Sequence, residues 1–351
     1  MVIARLIDGD GKDRGVHNFI VPIRDYATHE PLAGVSVGDI GPKLGYNVMD
    51  NGFLKLDGVR VPRRNLGMRF IHVDEEGNFK KKDAGYDAAK KISYITMMQV
   101  RAQIVAMAST SLSQAVTIAV RYGLVRTQGY DGSGRKEVQI LNYTQQQHRL
   151  FGHLACAYCF HFAGRRIMRK LKSLESAVLS GEGGSASKTS MSDLHASLSS
   201  LKAYCSDAAA AGIEDCRRSC GGHGYLVASG FPDLLNTYLQ NPTVEGDNYV
   251  LPQQTAKVLL RLLEDIEGGE PMDQWRDADA AYLVDAVLAD EGGGGAGRGV
   301  GFDNDPEFLL GLLRRRSCSL LTHVGERMRA GVEGGKGLQE VWNDSLVRIR
   351  R

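Results

Sequence analysis

Apolar and polar positions are arranged in two different ways along the chain. Up to about residue 75 they alternate over short stretches bounded by turn residues, which predicts β-structure. Val2–Ile7 reads as a strand, Asp8 to Gly11 as a turn and 16–23 as a second strand. Short strands follow at 35–37 and 53–56, and 59–62 is an edge segment ended by Pro62. After Tyr86 the spacing changes to three and four. Ile104, Ala108, Leu112, Ala115, Ala119 and Tyr122 share one face of a long helix reaching to about Gln128. A glycine-containing loop at 129–136 follows. Leu150, Leu154, Ala157 and His161 mark a second helix to about Leu174, and 181–189 is a glycine- and serine-rich insert.

Leu194, Leu198, Leu201, Cys205 and Ala208 mark a third helix, with Ser192 or Asp193 as its cap. Gly221 and Gly222 stop it. Pro252 suits the first turn of a fourth helix, which Gly268, Gly269 and Pro271 end. A second linker lies at 292–299, and 308–330 is helical. The expected fold class is α+β, mainly α: a small β-barrel-like domain followed by an antiparallel helical bundle.

Composition narrows this little. Lys plus Arg total 43 and Asp plus Glu 41, a formal charge of +2. No strong field points to nucleic acid, and no apolar run looks long enough to span a bilayer. Cys156 and Cys159 have CxxC spacing, but in apolar helical surroundings, so the cysteines read as buried structural thiols. No histidine spacing suggests a metal.

Three short segments could carry chemistry. Glu245, in Thr243-Val244-Glu245-Gly246-Asp247-Asn248, precedes a helix start and adjoins a glycine that permits close ligand approach. In a partly dry pocket such a carboxylate becomes a usable base. Alone, the hexapeptide reads more often as acids at a helix start. Cys220-Gly221-Gly222-His223-Gly224-Tyr225 could let backbone N–H groups approach a phosphate, or be a plain helix stop. Arg126 and Gln128, at a helix end, could meet a diphosphate or simply favour the helix C-terminus.

The order of these segments, with 15–24, 37–46, 50–54 and Gly212-Ile213-Glu214, resembles the peroxisomal acyl-CoA oxidase family of the acyl-CoA dehydrogenase superfamily. The resemblance runs to about Leu263. It implies an FAD enzyme that oxidises a fatty acyl-CoA to trans-2-enoyl-CoA while O2 becomes H2O2. Glu245 matches the catalytic base. Arg126, Gln128, Gly221 and Gly222 match contacts to the flavin of a neighbouring subunit, which implies a homodimer. Peroxisomal location follows from the family alone, since the C-terminus carries no Ser-Lys-Leu type address.

The resemblance also divides the chain into a middle β-domain at 1–80, a helical oxidase domain at 86–268, and a linker with a partial C-terminal helical region at 269–351. Both termini look cut, and the family's N-terminal helical domain has no counterpart. The rival readings are an acyl-CoA dehydrogenase with a protein electron acceptor, and a truncated, non-catalytic assembly partner.

Overall fold

The computed structural model describes residues 1–82, 86–180, 185–270, 272–275, 278–290 and 305–349. The 292–299 linker lies outside the described residues. The chain divides into two compact units, Met1–Tyr94 and Ile95–Arg351.

The first unit is built from hairpin ladders. β1 (Val2–Ile7) pairs antiparallel with β2 (Asp13–Phe19), β3 (Val35–Asp39) with β4 (Gly52–Leu56), and β5 (Ile71–Val73) with β6 (Phe79–Lys81). These are separate two-stranded sheets, so the expected barrel-like closure is absent among the described residues. The physical reason lies in the burial pattern. β4 is exposed along its whole length, leaving no continuous inner face for a barrel. The buried residues Leu66, Ile71 and Val73 form a small core with Leu6, Phe19 and Phe79. The expected edge segment at 59–62 joins no ladder.

The second unit is helical. α1 (Tyr86–Val125), α2 (Thr144–Leu179), α3 (Ser185–Ser219) and α4 (Phe231–Tyr238) share one core. Val105, Leu112, Leu150, Ala209, Ile213 and Phe231 are almost wholly excluded from solvent there. α5 (Leu251–Glu267) packs on α3 and joins α6 (Ala281–Asp290), α7 (Pro306–Glu333) and α8 (Leu338–Ile349) through two further clusters. Pro252 sits in the first turn of α5, and Gly269 leaves it left-handed at φ 73°. By length and composition the Tyr94–Val125 part of α1 could cross a membrane, which the sequence reading missed. Its apolar residues Met98, Ala102, Val105 and Ala108 are instead fully buried in the unit.

Four boundaries differ from expectation, one being α2, which runs on to Leu179 instead of about Leu174. The 129–136 segment is the turn region of a hairpin, β7 (Thr127–Tyr130) with β8 (Glu137–Gln139). α1 therefore ends at Val125, and Arg126 and Gln128 lie beyond it. α3 starts at Ser185, so neither Ser192 nor Asp193 caps it. The buried Asp193 carboxylate accepts instead from the backbone N–H groups of Asp279 and Ala280, at 3.0 and 3.2 Å. It thus caps the entry to α6 from a distant helix.

Candidate active site

Glu245 lies in the loop between α4 and α5. Its backbone is left-handed, φ 57°, and Gly246 follows at φ 103°. For a residue with a Cβ this costs about 1–2 kcal/mol and persists only where the surroundings enforce it. Two cations do so. Arg101 on α1 donates from Nε to the Glu245 carbonyl oxygen at 3.0 Å. Lys202 on α3, with no exposed surface, donates from Nζ to the carbonyl oxygens of Gly246 (2.7 Å) and Pro242 (3.3 Å). It also donates to Asn248 Oδ1 at 2.9 Å.

Asn248 completes the junction. Its amide nitrogen donates back to α3, toward the Ala203 carbonyl at 3.1 Å, Ser206 Oγ at 2.9 Å and Asp207 Oδ1 at 2.7 Å. Burial pushes the Lys202 ammonium down to about 8, against the pull of Asp247 and Asp207. Arg101 Nη1 also lies 3.4 Å from His195 Nδ1. Burial first, then the Arg101 charge, push the His195 imidazole down, which favours its neutral form at pH 7. Glu245 itself is exposed, so these residues do not build the dry pocket expected around it.

The second cluster lies at the C-terminal end of α1. The Arg126 N–H bonds the Tyr122 carbonyl, and its own carbonyl accepts from the Ile140 N–H, both at 2.9 Å. Its side chain is exposed and donates to Gln128 Oε1 at 3.1 Å. Nearby, α3 stops and Gly221–Tyr225 forms a 3-10 turn, with Gly221 at φ 59°. A Cβ built on Gly221 or Gly222 meets nothing within 4 Å, so the turn presents bare backbone to open space. Gly224 is the opposite case: it is buried, and a Cβ there would collide with the Arg217 carbonyl. Tyr122 and His223 tie this turn to α1, with the hydroxyl 2.8 Å from Nδ1. Gln146 ties it to α2 by donating to the Ser219 carbonyl at 3.0 Å.

The structure therefore gathers Arg126, Gln128, Gly221 and Gly222 at one end of α1 and leaves Glu245 at Arg101. Arg101 and Tyr122 are roughly 30 Å apart along the helix at about 1.5 Å per residue. Sequence reasoning missed Arg101, Lys202 and the Tyr122–His223 tie. Lys202 had a signal: it falls on the buried stripe of α3 between Leu198 and Cys205, where a cation needs partners.

Of the cysteines expected to be buried, Cys205, Cys216 and Cys220 are so, whereas Cys156 is half-buried and Cys159 exposed. The CxxC spacing puts its second residue on the outer side of α2. Burial pushes the Cys205 and Cys216 thiols up to about 12. Among the described residues no group of three potential ligands could hold a metal ion.

Comparison with known proteins gives the family. The family model for the acyl-CoA oxidase C-alpha1 domain matches residues 94–260. Peroxisomal acyl-coenzyme A oxidase 1 of Mus musculus is 42% identical over 270 residues, 77% of this chain and 39% of that protein. The Cavia porcellus protein of the same name is 42% identical over 361 aligned residues, covering 100% of this chain and 51% of its own. Among solved structures, Arabidopsis thaliana acyl-CoA oxidase 1 superposes with a TM-score of 0.86 at 35% identity, over 99% of this chain and 50% of that one. Acyl-CoA oxidase-2 of Caenorhabditis elegans, bound with FAD, ascaroside-CoA and ATP, gives 0.84 at 34% identity, over 100% and 49%. The chain belongs to the acyl-CoA oxidase family. It spans about half the length, or less, of the curated relatives it matches.

Proposed function

We propose that this chain forms the β-domain and helical oxidase domain of a peroxisomal acyl-CoA oxidase. The reaction is FAD-dependent conversion of a fatty acyl-CoA to trans-2-enoyl-CoA, with O2 reduced to H2O2. Residues 1–80 serve as the middle β-domain, 86–268 as the oxidase domain, and 269–351 as linker and part of a C-terminal helical region. The observation that carries the reading is the Glu245 loop, held left-handed from two helices so that one carboxylate projects from an otherwise immobilised backbone.

The α-proton of a thioester is weakly acidic, so its removal needs a positioned carboxylate and hydrogen bonds to the carbonyl where charge develops. Glu245 accepts that proton. When bound, FAD supplies the acceptor for the hydride that leaves the β-carbon. The residues at the far end of α1 suit its diphosphate. Arg126 offers an exposed guanidinium fork, oriented by Gln128, and the Gly221–Gly222 turn leaves room for an anion against bare N–H groups. Since the two clusters are roughly 30 Å apart at the helical rise of ~1.5 Å per residue, they serve different flavins. That separation supports a homodimer, in which one subunit's Arg126 reaches the flavin beside its partner's base.

The test is direct. Purified protein supplied with FAD and a fatty acyl-CoA should yield enoyl-CoA and peroxide in equal amounts. Glu245→Gln should retain flavin and lose about a thousandfold in turnover. Enoyl-CoA formed without peroxide would make the chain a dehydrogenase, and near-normal turnover of the Gln variant would remove Glu245 from the base role.

A further inference from the structure

Lys202 occupies a position that a lysine seldom takes. Its side chain is fully buried, yet it makes no contact with bulk water and uses all three of its N–H donors. The acceptors are the Pro242 carbonyl, the Gly246 carbonyl and Asn248 Oδ1, all in the seven-residue segment 242–248 and on both sides of Glu245. A buried ammonium serving only its own helix would bond α3. This one bonds a loop remote in sequence, and Arg101 takes the carbonyl of Glu245 itself. Three carbonyls of one short loop are thus pinned by two cations, and the residue held in the left-handed region is the one that carries the carboxylate.

We propose that Lys202 is a positioning residue for proton abstraction, fixing the backbone of the 242–248 loop so that the Glu245 carboxylate is aimed at the substrate. The proposal rests on Glu245 being the base. Released from Lys202, the loop keeps only the Arg101 bond to hold Glu245 left-handed, and relaxation of φ to negative values swings its side chain away. The charged groups facing Lys202 are Asp207 on its own helix, Asp247 and Glu245 on the loop, and Arg101 on α1. A neutral amine keeps two N–H donors for three acceptors, so loss of the proton loosens the same junction.

The experiment compares flavin-loaded wild-type protein with Lys202→Met, which preserves length and removes the donors. Misplacement of a reacting group by about 1 Å costs on the order of a hundredfold, so kcat should fall about a hundredfold. KM for acyl-CoA should stay within about twofold, since uniform binding is untouched. Amide hydrogen exchange across 243–250 should accelerate while that of α2 does not, a readout independent of catalysis. Wild-type kcat should fall as the pH passes about 8, and the variant's residual rate should lack that limb.

Unchanged kcat together with unchanged loop exchange overturns the proposal. So does an undiminished kcat in Lys202→Met when Glu245→Gln is inactive, and in that case the base assignment survives. Near-normal turnover of Glu245→Gln overturns both. If Lys202→Met does not fold, wild-type exchange decides. Loosening of 243–250 relative to α2 as the pH rises through about 8 is the expected result, and a constant ratio overturns it.

Discussion

The hydroxyl of Tyr122 lies 2.8 Å from Nδ1 of His223, joining the last turn of α1 to the glycine turn that follows α3. Tyr122→Phe removes one net hydrogen bond of about 1 kcal/mol. The bond links the two segments proposed above to hold the flavin, so flavin affinity should fall roughly fivefold, the equivalent of that energy. Equilibrium dialysis against FAD checks this, and an unchanged affinity would leave the tie without a role in binding.

Gly222 and Gly224 should respond oppositely to one added methyl group. Gly224→Ala drives a Cβ into the Arg217 carbonyl and should destabilise the protein by about 1–3 kcal/mol, seen as a lower Tm. Gly222→Ala meets nothing within 4 Å and needs no positive φ, so Tm should hold. Flavin retention should nevertheless drop, because the methyl group occupies the open approach to the turn.

Arg126→Ala should weaken flavin retention more than folding. A charge-assisted pair contributes about 1.5–3 kcal/mol, so at least a tenfold loss of affinity is expected. Unchanged flavin content with a lowered Tm would mark Arg126 as a structural cation at the helix-to-hairpin junction.

Asp215 supplies a pH dependence. The Arg149 guanidinium bonds both of its oxygens, and with His153 at 3.0 Å it holds the Asp215 carboxyl below the usual carboxylate range against the opposing effect of burial. A depressed folded value means stability that is present above the unfolded value and lost as the pH falls through the folded one. Asp215→Asn should therefore lower Tm at neutral pH and lose less of it below about pH 4 than the wild type does. Thermal melts across that acid range decide the matter.

The helical part was legible because Leu112, Ala115, Leu198 and Cys205 recur at three and four, and burial follows that period. Glu245 was legible as a loop acid before a helix, since Gly246 follows it directly and Pro252 marks the helix start beyond. The β-part was less so. Short alternating runs locate strands, but not which faces will be covered, and the exposed β4 breaks the barrel reading. The β7–β8 hairpin was hidden because its turn region carries three glycines, and the eight-residue α4 is too short to show a period. Asp193 looked like a local cap because sequence reveals only local partners, while its carboxylate serves residues in the distant entry to α6. Lys202 was passed over for the same reason: its acceptors lie on another segment.

The thiols of α3 grade the accessibility of the molecule. Burial pushes the Cys205 and Cys216 thiols well up, so they stay protonated at neutral pH, and both are buried. Alkylating reagents and peroxide reach them only when the bundle opens, whereas Cys159 on α2 is exposed throughout. The folded chain thus carries an internal clock: the lag between labelling of Cys159 and labelling of the two inner thiols measures how often its helices breathe apart.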